Sequence, residues 1–255
     1  MEFIATISSD IGNTRKTNQD SATIVIANTN IGRVALIVVC DGMGGLAKGE
    51  LASATVIRAF SDWFYNELPN VIDRGISDAL IRTQWENIVR TQNEKIMSYG
   101  KAHGINLGTT VTAMLLTQNR YYLMNVGDTR AYEIYNGTTQ LTEDQTIVAQ
   151  ELKYGRITYE QSLTDPRGSV LLQCVGASQV VIPDMFYGDT KLNAVYMLCS
   201  DGFRHVITNE EIYNCFNANV STSSEVMKNN TDYLINVIKQ RQEKDNITVA
   251  MVRTF

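Results

Sequence analysis

Short apolar segments separated by turn residues dominate this chain and restrict the folds open to it. They are rich in Val, Ile, Thr and Tyr and are bounded by Gly, Asn or Asp, a pattern typical of strands. The predicted strands are Thr23–Ala27, Val34–Cys40, Thr109–Leu116, Tyr121–Val126, Ala131–Tyr135, Val180–Met185, Ala194–Cys199 and Ile247–Val252. Asn136-Gly137, followed by Thr138–Leu141, predicts a hairpin turn and so antiparallel pairing.

Three longer segments carry apolar residues at helical spacing, which predicts helices over Leu46–Leu68, Ile76–Met97 and Met227–Gln240. Pro69 is expected to end the first of them. A shorter helix is predicted near Asp144–Tyr154. Strands and helices do not alternate regularly, so this order predicts a layered α+β domain.

Composition and charge exclude several classes of protein. The chain has 255 residues, with 22 Lys and Arg against 27 Asp and Glu, a formal net charge of −5. The charges are scattered, which argues against a nucleic-acid binder. Val34–Cys40 is the longest apolar run, too short to span a membrane.

The compartment is predicted from the N-terminal segment and the cysteines. The first ten residues lack a basic region followed by a long apolar run, so no secretory signal is expected. The four cysteines form no CxxC pair, and buried free thiols are expected. The chain is therefore predicted to be cytoplasmic. His103 and His205 are the only histidines, which excludes a His-rich metal site.

Four aspartates fall at the boundaries of predicted strands: Asp41, Asp128, Asp201 and Asp245. In an antiparallel sheet the start of one strand lies beside the end of its neighbour, so these four can meet at one edge. Clustered carboxylates repel one another, and a hard divalent cation such as Mg²⁺ or Mn²⁺ removes that repulsion. Each aspartate taken alone is more typical of a turn or a helix cap.

Two further stretches of the sequence hold residues suited to contact a ligand at this cluster. Asp41-Gly42-Met43-Gly44-Gly45 joins a predicted strand to a helix, and its glycines allow close approach of the backbone to a ligand. A polar run earlier in the chain holds Arg15, whose planar fork suits bidentate phosphate binding, and Asp20. A surface arginine and a capping aspartate are the alternatives for these two.

Gly42-x-Gly44-x-x-Ala47 also fits the fingerprint of a dinucleotide-binding turn. That interpretation requires a second strand with an acidic end about 20 residues further on. Here a second predicted helix follows instead, so an oxidoreductase is disfavoured.

Seven motifs then match one family in order. They are DIGNTRKTNQD (Asp10–Asp20), VVCDGMGG (Val38–Gly45), GTTVTAMLL (Gly108–Leu116), NVGDTRAY (Asn125–Tyr132), LTEDQTIVAQEL (Leu141–Leu152), LCSDGF (Leu198–Phe203) and KDNITVAMV (Lys244–Val252). The sequence resembles the metal-dependent protein phosphatases of the protein phosphatase 2C type, in their bacterial form. Any single motif is weak, but seven in order are specific.

The resemblance implies a fold, an activity and partners. It implies a four-layer αββα sandwich of two central antiparallel β-sheets flanked by helix pairs, formed by one domain over residues 1–255 with a flap at about 145–168. It implies a monomeric serine/threonine phosphatase that acts on phosphoproteins opposite a cognate kinase. Water bridging two metal ions would attack phosphorus directly. The alternative is a phosphoprotein-binding regulatory module with little turnover.

The resemblance also implies roles for individual residues. Asp41, Asp201, Asp245 and the carbonyl of Gly42 match the ligands of two core Mn²⁺ or Mg²⁺ ions, and Asp20 matches the residue that holds metal-bound water. Asp128 matches a ligand of a third, weaker ion, which Asp201 would share. Arg15 matches the phosphate-binding arginine. Catalytic roles are thus expected for Arg15, Asp20, Asp41 and Asp128.

Two positions and one segment depart from the family pattern. Met43 stands where many eukaryotic members have a histidine proposed as general acid, so water tied to Asp128 is the expected proton donor. Gln19 replaces a common glutamate. Residues 165–173 resemble the segment after the flap only loosely, which affects the expected substrate preference rather than the metal chemistry.

Overall fold

The computed structural model describes residues 1–43 and 48–255. The described strands are β1 Phe3–Asp10, β2 Ser21–Thr29, β3 Gly32–Cys40, β4 Gly42–Met43, β5 Gly108–Thr109, β6 Val111–Leu116, β7 Arg120–Val126, β8 Arg130–Ile134, β9 Thr138–Gln140, β10 Asp184–Asp189, β11 Val195–Cys199 and β12 Ile247–Thr254. The described helices are α1 Gly49–Asn66, α2 Leu68–Asp73, α3 Asp78–His103, α4 Ile147–Lys153, α5 Tyr159–Ser162, α6 Asp201–Arg204, α7 Asn209–Phe216 and α8 Ser224–Gln240. Predictions that rest on Gly44, Gly45, Leu46 or Ala47 lie outside the described residues.

Two five-stranded sheets form the centre of the molecule. Their strand orders are β1-β12-β11-β8-β9 and β10-β7-β6-β3-β2, and β4 pairs separately with β5. Throughout the described ranges, every named strand pair is antiparallel. β3 lies between β2 and β6, both antiparallel to it, so the parallel unit that a dinucleotide site needs is not formed there. The dinucleotide interpretation is therefore excluded.

Side-chain alternation along the central strands explains the layers. In β3, Val34, Leu36 and Val38 face α1 and α3, whereas Ala35 and Ile37 face the other sheet. Successive side chains of a strand point to opposite faces, so a strand that is apolar throughout must be covered on both sides. β11 and β12 follow the same rule. One face of these strands packs against the β10-to-β2 sheet, and the other packs against α7 and α8.

Three apolar cores result from this arrangement. One lies between α1, α3 and the β10-to-β2 sheet, one lies between the two sheets, and one lies between α7, α8 and the β1-to-β9 sheet. The predicted αββα sandwich is confirmed. Among the described helices, none is long and apolar enough to cross a membrane.

Each predicted helix lies where the structure has a helix, but the first or last residues differ from the prediction. Pro69 does not simply terminate a helix, because α1 ends at Asn66 and Pro69 lies in the first turn of α2. Proline is favoured there, since the first-turn N–H groups have no partner within the helix. α3 continues past the predicted end and stops at Gly104, whose φ of 64° suits glycine.

The strand predictions contain one error and two omissions, β1 and the two-residue β4. Val180–Met185 is wrong: β10 begins only after Pro183, and Val180 and Ile182 are exposed. Apolar composition alone favoured this strand, although proline lacks the N–H that a ladder needs. β1 was not predicted, because its partner β12 is more than 230 residues away along the chain. The hairpin at Asn136-Gly137 is confirmed.

Trp85 is the largest fully buried side chain. Its replacement tests how much the packing under α1 and α3 contributes to stability. Its ring contacts Phe60 and Trp63 edge to face, with centroids 5.6 and 5.5 Å away. We expect Trp85→Ala to lower the free energy of unfolding by about 3–5 kcal/mol, because it leaves a cavity. Urea denaturation measures the change. Tyr233→Ala, at an exposed site on α8, should change it by less than about 0.5 kcal/mol.

Candidate metal centre

The four aspartates predicted from strand boundaries lie at one edge of the sandwich. They follow β3, β7 and β11 or precede β12, as Asp41, Asp128, Asp201 and Asp245. The end of β11 lies beside the start of β12, because the two strands are antiparallel neighbours. Burial, and then the charges of Asp20, Asp201, Asp128 and Asp245, raise the pKa of Asp41 well above the usual carboxyl range. The topology thus gathers five carboxylates.

Asp41 is fixed mainly through its backbone. Its N–H donates to Thr110 Oγ1, and its carbonyl accepts from Thr109 Oγ1, both at 2.9 Å. The N–H of Thr110 also donates to the carbonyl of Asp41 at 2.9 Å. These bonds leave the carboxylate of Asp41 to face the other aspartates.

Asp20 lies buried beneath the cluster. Ser200 Oγ donates to its Oδ2 at 2.8 Å. Burial raises the pKa of Asp20 above its ordinary value; hydrogen bonds from Thr248 and Ser200 offset part of this, and the charges of Asp201 and Asp245 add to it. Among the residues that the structure describes, its other oxygen, Oδ1, has no hydrogen-bond partner, and neither does Asp201 Oδ1.

The two unpartnered carboxylate oxygens fit a site for a divalent cation. A buried carboxylate oxygen without a donor is costly unless a cation or water faces it. Within residues 1–43 and 48–255, no group of three or more Asp, Glu, His or Cys side chains is arranged to hold a metal ion by itself. Mg²⁺ and similar ions keep several waters, so an open set of carboxylates suits them better than a cage.

Arg15 lies over the outer side of this cluster. Its Nε and Nη2 donate to the two carboxylate oxygens of Asp245 at 2.9 and 2.6 Å. The side chain is 52% exposed, so its guanidinium faces both solvent and carboxylates. The hydrogen bond to Asp245 is the main cause that raises the pKa of Arg15. A planar fork that binds one carboxylate in this way can also bind a phosphate.

The loop that carries Arg15 is held by Asn246, which the sequence analysis missed. Asn246 Oδ1 accepts from the N–H of Gln19 at 2.9 Å, and its Nδ2 donates to the carbonyls of Ile11 and Thr17 at 3.0 and 3.2 Å. The side chain is 4% exposed. Asn246 follows Asp245 directly, so one dipeptide carries a cluster carboxylate and the anchor of the arginine loop.

The hydrogen bonds of the Gln19 side chain explain why an amide, rather than the carboxylate of a glutamate, occupies this position. In the orientation that satisfies both ends of its amide, it donates to the carbonyl of Gly42 at 3.3 Å and accepts from the N–H of Gly49 at 3.1 Å. A carboxylate at this position could accept but not donate. Met43 belongs to β4, where it pairs with Gly108.

Three further polar residues border the cluster and were not predicted. His205 lies between two acids, with Nε2 at 3.5 Å from Asp201 Oδ2 and Nδ1 at 3.4 Å from Glu243 Oε2. Arg204 Nη2 lies 3.6 Å from Asp128 Oδ2 and donates to the backbone carbonyl of Asp128 at 3.2 Å. Arg204 and His205 directly follow LCSDGF, so their nearness to Asp201 along the chain was the available signal.

Comparison with known proteins identifies the family. The family model described as Protein phosphatase 2C matches residues 13–231, which is most of the chain. The chain belongs to the protein phosphatase 2C family. The matched range contains Arg15, Asp20, Asp41, Asp128 and Asp201.

Relatives and solved structures of this phosphatase family agree with the match. A serine/threonine phosphatase named stp from Listeria innocua is 28% identical over 246 residues, covering 95% of this chain and 92% of the relative. The crystal structure of Stp1 from Staphylococcus aureus has a TM-score of 0.85 at 26% identity and covers 100% of this chain and 96% of that one. The catalytic domain of PstP, solved with two manganese ions, has a TM-score of 0.78 at 28% identity, with 98% and 97% covered.

Replacing Asn246 tests how the arginine loop is held. We expect Asn246→Ala to lower the free energy of unfolding by about 1–3 kcal/mol, because it removes three hydrogen bonds and leaves buried backbone groups unpaired. Urea denaturation monitored by tryptophan fluorescence measures this. Asn229→Ala, at an exposed position of α8, is the matched control and should change stability by less than about 0.5 kcal/mol. Equal effects of the two substitutions would contradict this role of Asn246.

Proposed function

We propose that this chain is a metal-dependent protein phosphatase that hydrolyses phosphoserine and phosphothreonine. The observation that carries the proposal is the largely buried carboxylate cluster beside the arginine fork, in which Asp20 Oδ1 and Asp201 Oδ1 have no partner within the described part of the chain. Such a cluster suits divalent cations, and the arginine suits the phosphate dianion. Membership of the protein phosphatase 2C family supports the same chemistry.

The proposed ligands of two Mn²⁺ or Mg²⁺ ions are Asp41, Asp201, Asp245 and the carbonyl of Gly42. Asp20 is proposed to orient water through Oδ1, since Ser200 already holds its Oδ2. A pair of bound divalent ions lowers the pKa of water and orients it for in-line attack on phosphorus. The PstP structure with two manganese ions supports this number of ions.

Arg15 would bind the substrate phosphate. Its bidentate pair with Asp245 shows that the guanidinium reaches the cluster, and its exposed position leaves it accessible to an incoming phosphoryl group. Two parallel N–H donors would offset negative charge on the phosphoryl oxygens as the bond to the leaving group breaks. Asp128 is proposed to orient water that protonates the leaving oxygen.

Residues 145–168 are proposed to form a flap beside this site, within one domain spanning residues 1–255. The segment contains α4 and α5 and exposes Tyr154, Tyr159 and Leu163. Exposed apolar side chains on a loop near a site are typical of substrate contact. We further propose a monomer that acts in the cytoplasm opposite a serine/threonine kinase; the free thiols among the described cysteines agree with a reducing compartment.

Hydrolysis of a phosphothreonine peptide tests the proposed activity. With Mn²⁺ we expect steady turnover that EDTA abolishes and excess Mn²⁺ restores. Asp201→Ala should lower kcat/KM by at least about 100-fold, because it removes a cluster carboxylate. Asp232→Ala, at an exposed site on α8, is the matched control and should retain full activity.

A regulatory module with the same fold would give a different result. It would bind the phosphopeptide and Mn²⁺ in calorimetry without turnover. Turnover that persists in EDTA and in Asp201→Ala would contradict the metal-dependent mechanism.

A second prediction concerns Arg15. Arg15→Ala should lower kcat/KM for the peptide by about 10²–10³-fold, because the phosphoryl oxygens lose two donors. Arg15→Lys should recover only part, since a point charge cannot bind two oxygens in parallel. Lys16→Ala, next to it on the exposed loop, serves as control. The loss is expected to persist at saturating Mn²⁺, and equal loss in Lys16→Ala would contradict this role of Arg15.

A further inference from the structure

The positively charged guanidinium of Arg204 lies beside Asp128. Arg204 Nη2 is 3.6 Å from Asp128 Oδ2 and donates to the backbone carbonyl of the same residue at 3.2 Å. The side chains of Arg204 and Asp128 are only 12% and 8% exposed. Little solvent therefore screens the attraction between them.

The fold fixes this guanidinium in place. Arg204 is the last residue of α6, the single helical turn that Asp201 begins. Nη2 also lies 3.4 Å from Asp144 Oδ2, and Asp144 is in turn held by a bidentate pair with Arg130 at 2.8 and 2.7 Å. Arg204 is thus placed between two carboxylates, and one helical turn carries both it and Asp201.

The resemblance implies a third, weaker metal ion held by Asp128 and Asp201. The residues present do not fit that ion well. A cation bound to Asp128 Oδ2 at about 2.1 Å would lie close to the Arg204 guanidinium, and two positive charges repel in a site with little solvent. The carboxylate of Asp128 already has its counter-charge.

We propose that Arg204 replaces the third metal ion in this chain, by supplying the positive charge that balances Asp128. The proposal rests on the proposed function, because it assumes that the core aspartates hold two ions. Arg204 is a positioning residue in this scheme: it orients Asp128 and fixes the turn after β7. The chain then works with two ions over the range of Mn²⁺ concentration in which a third site would fill.

Counting bound ions tests the proposal. Mn²⁺ binding is measured by electron paramagnetic resonance up to millimolar concentration, and crystals soaked in Mn²⁺ locate the ions by anomalous scattering. We expect two ions in the wild-type chain and two in Arg204→Lys, which keeps the charge. Arg204→Ala should gain a third, weaker ion at Asp128, and the double variant Arg204→Ala, Asp128→Asn should lose it again.

Asp128→Asn in the otherwise unchanged chain keeps the test valid if Arg204→Ala does not fold. It should still bind two ions, because Asp128 holds none in the wild type. A third ion in the wild type that Asp128→Asn removes would overturn the proposal while leaving the proposed function intact. Absence of a third ion in folded Arg204→Ala would also overturn it. Absence of any bound Mn²⁺ in the wild type would overturn both.

Discussion

Repulsion among closely spaced carboxylates is the constraint on which the rest of the structure depends. Asp20, Asp128 and Asp201 are buried, and Asp41 and Asp245 are partly so. Asp20, Asp41 and Asp128 are pressed together with Asp201 and Asp245 at one sheet edge, and burial and mutual charge raise the pKa values of the first three. A protein that places so many acids at low solvent exposure loses stability unless cations offset them. Three sources of positive charge offset this repulsion. The proposed metal ions lie at the centre of the cluster, Arg15 lies on its outer side, and Arg204 lies on the Asp128 side.

The sandwich makes the cluster possible without long loops. Three strand ends and one strand start meet at the same edge, so each acid is positioned by a ladder of backbone hydrogen bonds. The polar loop of Arg15 is anchored by Asn246 and packs against the backbone of Asp245. A Cβ on Gly12, whose φ is 77°, would lie 2.2 Å from the carbonyl oxygen of Asp245. The site therefore combines acids positioned by strands with an anchored loop whose Arg15 side chain stays accessible, which suits binding and release of a phosphate.

Much of this could be predicted from the sequence, for reasons that are local. Strand alternation, turn residues and the order of elements gave the α+β class, and aspartates at strand boundaries indicated a carboxylate cluster. What could not be predicted depends on contacts distant in sequence. β1 is recognisable mainly by its pairing with β12, and the roles of Asn246 and Arg204 follow from partners 60 or more residues away. Val180 and Ile182 misled the strand prediction because their apolar side chains are exposed rather than packed.

Calorimetric melting of the wild type and of Asp41→Asn at pH 8, in EDTA and in Mn²⁺, tests the central claim most directly. A carboxyl whose folded-state pKa is raised destabilises the fold as the pH rises above its unfolded-state pKa. In EDTA, Asp41→Asn should therefore melt at a higher temperature than the wild type. In Mn²⁺ the order should reverse, because the wild type gains stability from bound ions and the variant gains little. A variant that melts lower in EDTA and responds to Mn²⁺ as fully as the wild type would contradict the account.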